Sequence, residues 1–185
     1  MMGADLYIES NYNALQARLQ PQFEAAVKRR DAAKSTKARE EAQEEIARIY
    51  DAMHPPTAYF RDPYNSHSLL ANLSGDGPSA QLGGGLSWWK DIAPRLTEDD
   101  HLPLNDVRWL LDEVRNRRLT CQLKATYEQQ VTSEVMAKVA GGSAPVLVTD
   151  SYTAQDVQWL VFKKAALLEF LSEALRLAEP PVCSL

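Results

Sequence analysis

Apolar residues recur at helical spacing through the first quarter of the chain. Successive members of this stripe are three or four residues apart, which places them on one face of a helix. They are Ile8, Tyr12, Leu15, Leu19, Phe23 and Val27. A second stripe runs from Ala38 to Met53, with glutamates on its other side. Helices joined by a short polar turn pack antiparallel, so residues 10–54 are predicted to form a helical hairpin.

Similar stripes follow Pro103, which suits the first turn of a helix. One helix is predicted after Pro103 and another from Leu119 to about 140, and the two are either separate or continuous through Asn116-Arg117-Arg118. A last helix is predicted from Thr153 to Ala178, and it should be the central one because it is apolar almost all round. Residues 103–179 are therefore predicted to form a helical bundle, followed by a short tail at 180–185.

Residues 55–102 lack a sustained period and contain most of the glycines, so an irregular, glycine-rich middle segment is expected there. Leu6-Tyr7-Ile8 suits either a strand or the entry to the first helix. The overall prediction is a mainly α fold. It is a single domain over residues 1–185, a helical bundle of about five long helices.

Composition narrows the class of protein. The chain is 45% hydrophobic and 24% charged, with a net charge of -5 and a pI near 5.3. These values indicate a soluble globular protein without a general attraction to nucleic acid or anionic membrane. Two distant cysteines and the absence of a basic, apolar leader favour the cytoplasm. We therefore expect neither a nucleic-acid partner nor membrane insertion.

Aromatic and charged residues crowd together on both sides of the glycine-rich loop. The candidate binding residues are Tyr59, Arg61, Asp62, Tyr64, Asn65, Trp88, Trp89, Lys90 and Asp91. Such a set suits charges held under stacked rings, a protein interface or a polar catalytic site. The structural interpretation is favoured, and it predicts that Arg61 and Asp62 are anchored by the Trp88–Asp91 segment.

No complete catalytic or metal motif accompanies this set. His54, His67 and His101 each lack a second histidine or cysteine at ligand spacing, so no metal site and no cofactor are expected. Catalytic residues cannot be assigned. Lys164 falls in the apolar stripe of the last helix, which makes it a candidate buried charge. We expect its amine to meet a carboxylate, Asp5 and Asp62 being the first choices.

The opening Met-Gly-Ala-Asp-Leu-Tyr, the Tyr-Phe-Arg-Asp-Pro-Tyr-Asn segment and Gly-Leu-Ser-Trp-Trp resemble uncharacterised bacterial and phage proteins. The resemblance implies such an origin and no activity. Two hypotheses follow. The first is a non-catalytic interaction or accessory domain that binds a protein partner or itself. The alternative is a small hydrolase or transferase that uses Arg61, Asp62, Lys90 and Asp91.

Overall fold

The structure is a computed structural model that describes residues 3–64, 67–74, 85–119 and 154–185. The described helices are α1 (Glu9–Ala32), α2 (Thr36–Met53), α3 (Leu104–Asn116) and α4 (Ala154–Leu177), and the strands are β1 (Gly3–Tyr7), β2 (Tyr59–Pro63), β3 (Leu73–Ser74), β4 (Arg118–Leu119) and β5 (Val182–Ser184). Short 3-10 turns at Leu70–Asn72 and Ala93–Arg95 and a π-helical turn at Trp88–Ile92 complete the described elements. The protein is mainly helical, as predicted, with a small antiparallel sheet in addition.

The sheet has the strand order β2-β1-β5, so its central strand is the first one in the chain. Leu6 pairs with Phe60 on one side and with Cys183 on the other. Burial alternates along β1 and β2, which sends Leu6, Phe60 and Asp62 inward. Of the two possibilities for Leu6-Tyr7-Ile8, the strand is the one found, and the predicted tail contains strand β5.

Helices α1 and α2 form the predicted antiparallel hairpin, which we call the arm. The hydroxyl of Ser35 accepts a hydrogen bond from the backbone N–H of Ala38 and so caps α2. Helix α1 runs continuously through Pro21. Among the described elements, α1 packs extensively only against α2, and α2 only against α1.

A separate core joins β1, α3, α4 and the middle segment. It includes the fully buried Leu6, Leu110, Leu167 and Phe170. Among the described helices α4 contributes most to this core, yet Phe162 is 68% exposed. Helix α4 is therefore not buried on all sides, although it is apolar almost all round. None of the described helices is both long and apolar enough to cross a membrane.

The predicted bundle of long helices is not confirmed, because the arm and the α3–α4 pair are packed separately. Several predictions lie outside the described residues. They are the predicted helix from 120 to about 140, the glycine-rich loop at 75–84 and the position of Asn65. Leu119, the predicted first residue of that helix, is described and lies in strand β4 instead.

Candidate functional site

The carboxylate of Asp62 lies at the centre of the buried half of the predicted site. Asp62 is completely buried and accepts four hydrogen bonds. Its Oδ1 accepts the backbone N–H of Leu69 at 2.7 Å. Its Oδ2 accepts the Ser68 hydroxyl at 2.8 Å, the indole N–H of Trp88 at 2.8 Å and the backbone N–H of Leu70 at 3.2 Å. Asp62 thus joins β2, the 68–72 turn and the Trp88 segment.

The local sequence explains this arrangement. Asp62 occupies an inward position of β2, and the N–H groups of Leu69 and Leu70 begin a 3-10 turn, where they lack acceptors within the turn. A carboxylate supplies those acceptors. Gly85 allows the Trp88 segment to approach, since a Cβ at this position would lie 2.3 Å from the carbonyl oxygen of Ala71.

The predicted contact between Asp62 and the Trp88–Asp91 segment is confirmed. Other residues of that segment make contacts elsewhere. Asp91 accepts the backbone N–H of Ser87 at 2.7 Å, and the Ser87 hydroxyl accepts the N–H of Lys90 at 3.3 Å, so the two side chains cap the π-helical turn. The Trp89 ring is 57% exposed and lies 5.6 Å from the ring of Tyr64.

Arg61 lies on the opposite face of β2 from Asp62 and pairs with Asp5 of β1. Its guanidinium is 3.4 Å from the Asp5 carboxylate, to which the Tyr59 hydroxyl also donates a hydrogen bond. In the β1–β2 register Asp5 is opposite Arg61 and Tyr7 is opposite Tyr59. The outer face of the sheet therefore carries an ion pair beside a pair of tyrosines.

Three more rings extend this outer face onto the ends of the arm helices. We call the five residues Tyr7, Tyr12, Tyr50, His54 and Tyr59 the tyrosine-rich face. Ring centroids within it are 4.3 Å apart for Tyr50 and His54, and 4.8 Å apart for His54 and Tyr59. The ring of Tyr12 lies 5.4 Å from Tyr7 and 6.1 Å from Tyr59. The five rings are contiguous and only partly buried.

Burial and neighbouring groups keep the phenols of Tyr12 and Tyr59 protonated. Burial and then the hydrogen bond to the Asp5 carboxylate raise the pKa of Tyr59 well above its ordinary value. Burial and the neighbouring tyrosines raise the pKa of Tyr12. The hydrogen bond with Tyr59 and the charge of Asp5 raise the pKa of Arg61, which stays cationic. Tyr12 and Tyr59 thus present neutral hydroxyl groups beside the Asp5–Arg61 ion pair.

The buried-charge candidate Lys164 has a different partner from the one expected. Its amine donates a hydrogen bond to the carbonyl oxygen of Arg117 at 2.6 Å, so the predicted pairing with Asp5 or Asp62 is wrong. The neighbouring Lys163 is the lysine that reaches β2. It donates to the carbonyl oxygen of Arg61, and its amine lies 4.8 Å from the ring centroid of Phe60. Burial lowers the pKa of Lys163.

Sequence reasoning missed one pair of functional groups. His67 Nε2 lies 3.2 Å from a carboxylate oxygen of Asp156 at the start of α4, beside a shallow cavity of about 250 Å³ that Trp159 also lines. The two residues are 89 positions apart, so no local spacing reveals the pair.

The described residues contain no group of three or more His, Cys, Asp or Glu side chains that could hold a metal ion. Cys183 is buried, and burial raises the pKa of its thiol to about 12, which disfavours the reactive thiolate. The comparisons add no assignment: no protein-family model, curated protein or solved structure matches this chain. The bacterial or phage origin stays a prediction.

Proposed function

We propose that this protein is a non-catalytic interaction domain that binds a protein partner through the tyrosine-rich face. The observation that carries the proposal is the contiguity of five partly exposed rings on β1, β2 and the ends of the arm helices. Tyrosine and arginine are enriched among residues that dominate binding energy at protein interfaces. The Asp5–Arg61 ion pair borders this face and adds polar groups for orientation.

The backbone beneath the face also supports the proposal. Tyr7 and Tyr59 are held opposite each other by strand pairing, and His54 Nδ1 lies 2.8 Å from the carbonyl oxygen of Tyr50. Such rings are fixed before a partner arrives, so binding costs little side-chain entropy. The burial of Asp62 supports the same proposal, because its carboxylate bonds β2 to the 68–72 turn and to the Trp88 segment behind the face.

Site-specific photo-crosslinking tests the proposal. A photoreactive phenylalanine analogue replaces Tyr50, which is 48% exposed, in cells of the source organism. We expect a discrete protein adduct that an excess of wild-type protein suppresses and that an excess of a Tyr7→Ala, Tyr12→Ala variant does not. The matched control carries the same analogue at the exposed Arg108 of α3. No adduct at position 50, or the same adduct at position 108, would overturn the proposal.

A second candidate function is a small hydrolase or transferase. The observation that favours it is the His67–Asp156 pair, whereas the sequence suggested it from Arg61, Asp62, Lys90 and Asp91. Arg61 and Asp62 face opposite sides of β2, and Asp91 is engaged in capping. The His67–Asp156 pair is the better candidate for acid–base chemistry, because a carboxylate can orient an imidazole beside a cavity. Turnover of an ester or phosphoester that disappears in His67→Ala and persists in His101→Ala would favour this candidate.

A further inference from the structure

A groove runs along the base of the arm, between helix α1 and the link that joins α2 to β2. Its volume is about 420 Å³, and it is lined by Asn11, Ala14, Leu15, Arg18, Pro55 and Thr57. The four residues from α1 recur at spacings of three and four, so they form one continuous strip of the helix surface. The two ends of this strip, Asn11 and Arg18, are about 10 Å apart along the helix. None of the residues of the tyrosine-rich face lines the groove, which is therefore a separate surface.

The groove has an apolar floor and a cation at one end. Ala14, Leu15 and Pro55 supply the apolar surface. Arg18 is exposed, and its guanidinium forms no hydrogen bond or ion pair with another described residue. No Asp or Glu stands three or four positions from Arg18 on α1, so no carboxylate of its own helix neutralises it. The groove therefore combines apolar surface with a positive charge that the described residues leave uncompensated.

The other end of the groove lies beside a negative charge. There the side-chain amide of Asn11 donates a hydrogen bond to the carbonyl oxygen of Thr57 at 2.8 Å and another to the Glu173 carboxylate at 3.4 Å. Glu173 also accepts a hydrogen bond from Arg176 at 2.6 Å, and this contact lowers the pKa of its carboxyl group. Because Glu173 stays ionised, a negative group of a ligand is disfavoured at the Asn11 end and favoured at Arg18.

We infer that this groove binds a carboxylate that carries an apolar group. The carboxylate lies at Arg18, where a guanidinium can bind it through two parallel N–H···O bonds, and the apolar group lies on Ala14, Leu15 and Pro55. The volume of the groove is within the range of small-molecule sites. Two kinds of molecule offer this chemistry: a free aliphatic or aromatic acid, and a peptide that ends in an apolar residue. The inference does not depend on the proposed function.

An NMR titration of the isotope-labelled protein with 4-phenylbutyrate tests the inference. We expect shifts of the backbone amides that line the groove, with a dissociation constant on the order of a millimolar for a ligand of about twelve non-hydrogen atoms in an open groove. The alcohol 4-phenylbutanol keeps the apolar group without the charge, and acetate keeps the carboxylate without the apolar group. Each of these should bind at least about tenfold more weakly than 4-phenylbutyrate, because it makes only one of the two contacts.

Two variants assign the binding to the groove. Arg18→Gln should weaken the binding of 4-phenylbutyrate at least about tenfold and leave that of 4-phenylbutanol unchanged. Ala14→Trp should abolish the binding of both, because its indole fills the groove. The matched controls are Arg48→Gln on α2 and Ala17→Trp on α1, which change the same residue types outside the groove and should bind as the wild type does. All four positions are exposed, so each variant should keep the wild-type spread of amide signals.

The dipeptide acetyl-alanyl-leucine and its C-terminal amide separate the two sources of the ligand. Tighter binding of the dipeptide than of 4-phenylbutyrate, lost in the amide, would identify a peptide C-terminus as the occupant, and weaker binding would identify a free acid. An absence of shifts up to tens of millimolar 4-phenylbutyrate would overturn the inference. So would shifts scattered over the surface, or an Arg18→Gln variant that binds 4-phenylbutyrate as tightly as the wild type.

Discussion

At the scale of single residues, Asp62 combines complete burial with four accepted hydrogen bonds. Its two carboxylate oxygens accept from two side chains and two backbone N–H groups, and these donors belong to two separate segments, the 68–72 turn and the Trp88 segment. Every donor around it is aimed at a charged acceptor, and hydrogen bonds to charged groups contribute more than neutral ones. Asp62 therefore holds the parts of the irregular middle segment together.

Replacing Asp62 with asparagine should lower the free energy of unfolding by about 1–3 kcal/mol. The new amide group would turn an N–H donor toward another donor, such as the indole of Trp88, and leave one of them unsatisfied. Urea unfolding measures the change. The exposed Asp51→Asn is the control and should stay within about 0.5 kcal/mol of the wild type. If Asp62→Asn lowered the free energy of unfolding no more than the control does, Asp62 would not be what holds these segments together.

Lys163 should make stability depend on pH in the alkaline range. Burial lowers its pKa below the usual 10.5, so just below pH 10.5 the unfolded chain binds a proton that the folded protein has lost. Stability from this group is then fully present above 10.5 and is lost as the pH falls through the lowered pKa.

The Lys163→Met variant should therefore gain less stability than the wild type as the pH rises toward 10.5. Chemical denaturation at several alkaline pH values measures the two slopes. Lys28→Met is the control, because Lys28 is exposed on α1, and it should keep the wild-type slope. If the Lys163 variant keeps the wild-type slope as well, its amine is not desolvated in the folded protein.

The two neighbouring lysines show what could be predicted at this scale. The apolar stripe of the last helix correctly indicated that a lysine in it would be partly buried. The prediction that Lys164 reaches the sheet was wrong, because Lys163 is the lysine that bonds to β2, and this depends on how α4 is rotated against the sheet. The His67–Asp156 pair escaped prediction for the same reason, since only the tertiary fold brings the two residues together.

At the scale of elements, periodicity predicted the arm and α3 well because each has one apolar stripe and clear ends. The strands were harder to predict. Strands β1 and β2 have five residues each and β5 has three, which is too short for a convincing alternation. Helix α4 posed the opposite problem: apolar residues lie almost all round it, so the pattern did not reveal that Phe162 is exposed.

Two substitutions on α4 should separate its buried and exposed sides. Leu167 is completely buried, so Leu167→Ala should cost about 2–5 kcal/mol through lost burial and a cavity. Phe162→Ala removes a larger side chain from a mostly exposed position and should cost less than about 1 kcal/mol. Urea midpoints measured in parallel test this difference. Equal losses would mean that Phe162 is covered in the folded protein.

At the scale of the whole molecule, the sheet brings together three segments that are remote in the chain. Strand β1 lies between β2 and β5, and the backbone N–H of Cys183 also bonds to the carbonyl oxygen of Asp100 at 2.8 Å. Val182 and Cys183 are buried against this junction. The arm is joined to it at its base, where the Ser10 backbone N–H donates to Glu179 at 2.9 Å. Cooperative unfolding of the core should therefore depend on β5.

Removal of residues 182–185 from this chain should lower the free energy of unfolding by about 3 kcal/mol or more, since it withdraws two buried side chains and the hydrogen bonds of one sheet edge. It would also expose the edge of β1, which is a template for aggregation. Urea unfolding and light scattering measure the two effects. Ser184→Lys is the control, because this exposed side chain can change while the β5 backbone stays paired, and it should shift stability by less than about 0.5 kcal/mol. An unchanged midpoint for the shortened chain would show that the sheet is held together without β5.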